Sequence, residues 1–86
     1  MRTIMIFHEV DDVDHWLKSP KRREFFGPLG ITTRTFVDPE QSNRVGLIVE
    51  VPSMEAFEEA MGTPRLAEGM TFDGVRAQTV QILTEG

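Results

Sequence analysis

Two short apolar stretches do most to limit what this chain can become. Ile4-Met5-Ile6-Phe7, inside the segment Arg2 to Val10, is an unbroken apolar run too short for a stable helix and bounded by aspartates. Such a run reads as a strand covered on both faces. Arg44 to Val51 (RVGLIVEV) is the second, with Val45, Leu47, Val49 and Val51 on one wholly apolar face and Ile48 on the other. Both strands must lie in the interior of a sheet, so the remaining residues have to supply its edges and its cover.

The segments between them read in order. Asp11 and Asp12 offer side-chain acceptors for a helix start, and Val13, Trp16 and Leu17 follow at helical spacing. Ser19-Pro20 interrupts that helix, predicting a kink or two short pieces that end near Phe26 at Gly27-Pro28. Ile31 to Val37 is rich in β-branched residues and runs into the polar turn Asp38 to Asn43, so it forms a hairpin with Arg44 to Val51. Ser53 caps a helix over Met54 to Met61, Gly62 ends it, and Thr63-Pro64 caps a short helix over Arg65 to Met70. The turn Thr71 to Gly74 leads to a last strand, Val75 to Leu83. The order β-α-β-β-α-β over residues 1–86, with no linker or repeat, predicts one ferredoxin-like α+β domain with a four-stranded antiparallel sheet in the order 4-1-3-2. That order puts the two most apolar strands in the middle, where they belong.

With 86 residues and no cysteine, the chain has a thin margin of stability as a monomer and no disulfide to widen it. The second apolar face of the sheet, with Met5, Phe7 and Ile48, then predicts a homodimer that packs the sheet faces opposite the helices. Fourteen acidic residues against nine basic ones disfavour nucleic acid and anionic membranes as partners. The one basic cluster, Lys18, Lys21, Arg22 and Arg23, reads as a solvated helix face. No apolar run is long enough to span a bilayer, and the start lacks a signal-peptide pattern, so the expected location is cytoplasmic.

The predicted topology gathers His8, Asp11, Asp12, His15, Trp16, Arg44 and Arg76 at one end of the fold. Histidine passes protons near neutral pH, and a tryptophan supplies an apolar wall with one donor. The expected catalytic groups are His8, His15 and Arg76, with Trp16, Asp12 and Arg44 binding the substrate. Each has a plainer reading: His8 as an edge residue or a metal ligand, His15 as a surface residue, Trp16 as core, and Asp11 and Asp12 as caps. Two histidines and an aspartate can in principle ligate a metal, but the seven-residue spacing matches no metal motif, so neither metal nor other cofactor is expected. Glu50, a carboxylate inside an apolar strand, reads as ion-paired with a residue such as Arg34, as lying at a strand end, or as inside a dimer.

His8-Glu9-Val10 leading into Asp14 and Trp16, Gly30-Ile31, Asp38-Pro39, Val49-Glu50-Val51 leading into Met54-Glu55-Ala56-Phe57, Thr63 to Met70, and Gly74-Val75 together resemble the dimeric α/β-barrel superfamily. That superfamily includes antibiotic-biosynthesis monooxygenases and small cyclase-labelled bacterial proteins. The resemblance covers nearly the whole chain and implies a homodimer with a pocket between sheet and helices in each subunit. It also implies cofactor-independent chemistry on an activated aromatic substrate. The chain departs from the family's pattern in having no tyrosine and in placing its only asparagine, Asn43, in a hairpin turn. The expected function is therefore binding of a small apolar or aromatic molecule, with monooxygenase-, cyclase- or isomerase-like acid/base conversion if the protein is an enzyme. The alternative is a non-catalytic binding or assembly module whose sheet-to-sheet dimerisation is its role. A cavity of about 300 Å³ or more between sheet and helices favours the first reading, and a filled core the second.

Overall fold

A computed structural model describes residues 1–86. Four strands, β1 (Arg2–Glu9), β2 (Thr32–Val37), β3 (Arg44–Val51) and β4 (Gln81–Thr84), form one sheet in the order β2-β3-β1-β4. All neighbours are antiparallel: Met5 pairs with Ile48 and with Leu83, and Arg34 pairs with Ile48. This is the ferredoxin-like arrangement, with the two most apolar strands central. Four short helices cover one face: α1 (Val13–Lys18), α2 (Lys21–Phe26), α3 (Met54–Met61) and α4 (Pro64–Phe72).

Local chemistry explains where each helix begins and ends. The side chain of Asp12 accepts from the His15 N–H at 3.1 Å, that of Ser53 from Ala56 at 3.1 Å, and that of Thr63 from Leu66 at 3.3 Å. Ser19 is extended, with ψ 132°, because the ring of Pro20 disfavours helical geometry just before it. The predicted interruption is thus a true break between α1 and α2.

Alternation along the strands separates two faces. Ile4, Ile6, Val45, Leu47, Val49 and Val51 point under the helices and are buried with Trp16, Phe26, Phe57 and Ala60. The other face carries Met5, Phe7, Phe36 and Leu83 exposed, around a half-buried Ile48. Glu50 lies on this same outer face, exposed; Arg34 forms no ion pair with it and lies instead over the Phe36 ring at 5.5 Å. No helix is long and apolar enough to cross a membrane.

The last strand departs from expectation. Instead of a continuous strand over Val75 to Leu83, Val75 forms a single bridge with Val10, Ala77–Thr79 makes a 3₁₀ turn, and only Gln81–Thr84 pairs with β1. Between the Val75–Val10 and Gln81–Phe7 pairs the chain advances six residues on one side against three on the other, so the surplus must loop out. The Thr79 hydroxyl makes this tolerable. It accepts from the Glu9 N–H at 2.9 Å and donates to the Arg76 carbonyl at 2.6 Å, while the Arg76 N–H donates to the Glu9 carbonyl at 2.9 Å. A side chain thus takes the place of a missing backbone partner. Thr79→Val keeps the shape and removes both bonds, and we expect urea unfolding to report a loss of about 1–2 kcal/mol. An unchanged midpoint would show that water replaces the hydroxyl.

Candidate functional site

β1 ends by presenting His8 on its helix-covered face, opposite Val45 of β3. His8 is 6% exposed, and its imidazole meets the Trp16 ring edge-on, with centroids 5.6 Å apart and planes at 80°. Trp16 is set by α1, which starts after three intervening residues. The junction between them is clamped from two sides. The Asn43 side-chain amide donates to the Val10 carbonyl at 2.6 Å, and the Asp11 N–H donates to the Gly74 carbonyl at 3.0 Å. Gly74 has φ +71°, in the left-handed region, so any residue with a side chain would strain the turn that leaves α4.

Two further side chains complete the cluster, and neither was anticipated. Arg22 of α2, expected on a solvated face, is largely buried, its side chain 12% exposed. It lies over the Trp16 ring at 4.3 Å, donates to the Trp16 carbonyl at 2.7 Å, and donates to Asp73 Oδ2 at 3.3 Å. Arg22 occupies the same helical stripe as Phe25 and Phe26, at positions i, i+3 and i+4, and that is the sequence signal for a buried charge. Asp73 follows the last residue of α4 and is 4% exposed. Nothing local distinguishes it from an ordinary turn aspartate.

His8, Trp16, Arg22 and Asp73 line one cavity of about 70 Å³ between sheet and helices, its other walls being mainly apolar, with Phe25, Met61, Leu66 and Met70 among them. Two buried atoms there have no hydrogen-bond partner within the protein, His8 Nδ1 and Asp73 Oδ1. Burial lowers the His8 pKa below the usual imidazole value, and Arg22 lowers it further, against opposing pulls from the Glu9 backbone and Asp73. The imidazole is therefore neutral near pH 7 and able to accept a proton.

The other expected site residues lie apart from this cluster. His15 donates from Nε2 to the Phe72 carbonyl at 2.8 Å, and its ring lies tilted by 42° against the Phe72 ring, centroids 5.2 Å apart. Asp12 caps α1. Arg76 bonds Asp11 at 2.9 Å and Glu9 at 3.0 Å, and these two carboxylates raise its pKa. Arg44 pairs with Asp38 at 3.4 Å in the β2–β3 hairpin. Arg44 and Asp38 line a broader groove of about 710 Å³ whose apolar walls include Phe7 and Phe36; His8 is the one residue shared by groove and cavity. No three His, Asp or Glu side chains are grouped so as to hold a metal ion.

No protein-family model matches the chain, and no curated protein matches it. Solved structures do. A crystal structure of an antibiotic biosynthesis monooxygenase superposes with a TM-score of 0.68 at 15% identity, over 100% of this chain and 97% of that one. A dimeric ferredoxin-like protein from an uncultured marine organism gives 0.55 at 16% identity, over 99% and 91%. This chain has their ferredoxin-like fold. A protein of Arabidopsis thaliana shares it too, with a TM-score of 0.63 at 12% identity, over 100% of this chain and 94% of that one. At such identities the likeness carries the ferredoxin-like architecture and leaves the chemistry to the residues themselves.

The depressed His8 pKa has a consequence for stability. Between the folded-state pKa and the unfolded value near 6.5, the unfolded chain binds the extra proton, so stability rises with pH across that window. We expect unfolding free energy to fall as pH drops below about 6.5, and His8→Gln to flatten that part of the profile. A wild-type profile identical to that of the variant would contradict a neutral, buried His8.

Proposed function

We propose that the protein is a homodimer that binds a small apolar or aromatic molecule at the cavity between sheet and helices, its narrow end inside, with His8 as the group that exchanges a proton with it. The observation that carries this reading is the pair of unpartnered buried atoms, His8 Nδ1 and Asp73 Oδ1, on the wall of a mostly apolar cavity. With no partner at all such atoms would cost about 1–3 kcal/mol each, so the protein leaves there a place that a small polar group has to fill, and a core built only for packing has no need of one. A bound molecule with a matching polar group relieves that cost. Where conversion follows binding, a neutral His8 removes a proton and returns it at another atom of the same molecule, the balance needed for an isomerisation or a cyclisation. Trp16 and Arg22 hold the wall against which the molecule lies.

The dimer pairs the outer sheet faces through Met5, Phe7, Phe36, Ile48 and Leu83. Apolar side chains crowded on the face opposite the helices support it, as does the likeness to a dimeric ferredoxin-like protein.

A second reading, an assembly module without a ligand, is favoured by the size of the cavity. At about 70 Å³ it lies well below both the 300 Å³ expected of an open pocket and the roughly 150 Å³ that admits a benzene ring. Sedimentation and thermal shift separate the readings. We expect a wild-type dimer at micromolar concentration, a monomer for Met5→Glu, and stabilisation by small aromatic compounds that His8→Ala abolishes. A dimer that no aromatic compound stabilises would leave the assembly reading alone, and a wild-type monomer would remove the dimer.

A further inference from the structure

Given a ligand in this cavity, the hydrogen-bonding inventory around it restricts what that ligand can be. Arg22 has one terminal nitrogen bonded to Asp73 Oδ2 and the other to the Trp16 carbonyl, and its guanidinium face is occupied by the indole. Its charge is thus already balanced by Asp73 and its flat face covered by Trp16. The fully buried side-chain atoms without a partner in the protein are Asp73 Oδ1, on a residue 4% exposed, and His8 Nδ1, on a residue 6% exposed. A carboxylate paired with a guanidinium has only acceptor sites to offer. An anion seated against Asp73 would meet a carboxylate oxygen whose neighbouring cation is already paired, the other cation lining the cavity, Lys21, being exposed at its rim over the Phe72 ring at 5.0 Å, and a molecule without a donor would leave that oxygen as it is.

Size adds a direction. A space of about 70 Å³ holds a head group of a few heavy atoms but no ring. The cavity reaches the surface between α2 and α4, where the exposed Lys21 and the half-buried Gly69 line it, and its other half-buried lining there is apolar: Phe25, Leu66 and Met70. A narrow polar head fits inside, against Asp73, and an apolar body fits at the mouth, where methionine re-packs readily.

We propose that Asp73 selects the ligand, and that the site takes an uncharged molecule presenting an O–H or N–H donor at its narrow end, ahead of an apolar body. This rests on the ligand-binding reading above and names the chemical class of that ligand. The donor bonds Asp73 Oδ1, with His8 beside it as the second polar contact.

Titration calorimetry of the wild-type chain with phenol, anisole and benzoate tests the proposal, because the three share a ring and differ in the head. Phenol is expected to bind at least about tenfold more tightly than anisole, the usual scale for a hydrogen bond to a charged acceptor, and benzoate more weakly than phenol. Asp73→Asn should bring the phenol-to-anisole ratio close to one. Equal binding of phenol and anisole by the wild type would overturn the donor requirement while leaving the binding site in place. A tenfold preference that survives in Asp73→Asn would overturn the role of Asp73, and no binding of any of the three would overturn both this proposal and the reading beneath it. If Asp73→Asn fails to fold, the wild-type ratio decides the donor requirement by itself.

Discussion

Arg22 holds the helical layer together. Its guanidinium lies over Trp16, donates to the Trp16 carbonyl near the end of α1, which also accepts from the Ser19 N–H, and reaches Asp73 just past the end of α4. One side chain therefore ties three helices that are each too short to be stable alone. The sheet beneath them needs no such device, because antiparallel pairing and the buried stripes of β1 and β3 organise it. Removing one partner of a buried ion pair strands the other in a poor solvent, at a cost of about 3–5 kcal/mol. The same contact closes the roof over His8, so stability and the candidate site depend on a single interaction.

That dependence explains the unusual polarity of the cavity. A buried Asp73 needs Arg22, and Arg22 satisfies only one of its two oxygens. The unpartnered oxygen and the unpartnered nitrogen of His8 are thus by-products of the tie unless something else uses them. Reading them as recognition groups gives the second carboxylate oxygen a purpose that packing alone does not supply.

Strand positions were legible because their signals are local and strong. The apolar runs of β1 and β3, the β-branched Ile31 to Val37, and the Ser19-Pro20 break each act within a few residues of themselves. β4 was overextended because Val75 to Leu83 has strand-like composition throughout, whereas the loop-out at Ala77–Thr79 depends on a hydroxyl replacing a backbone partner across the sheet. The site was half legible. His8 and Trp16 follow from where a strand stops and a helix begins. Arg22 was hidden by its neighbours Lys21 and Arg23, which are solvated, and Asp73 joins the cluster only because α4 ends over α2, a long-range outcome no local pattern states. His15 and Arg76 were drawn to the same end of the fold by topology, yet each is held by a partner of its own, the Phe72 carbonyl and the Glu9 and Asp11 carboxylates.

The central claim, that the Arg22–Asp73 contact closes the helices over His8, is tested most directly by a double-mutant cycle on unfolding free energy. Arg22→Met and Asp73→Leu should each destabilise by about 3 kcal/mol or more, and the double variant by clearly less than the sum, because the second change removes the charge that the first leaves unpaired. Additive losses would mean that the two groups do not depend on each other, and that something other than this ion pair holds the roof of the site.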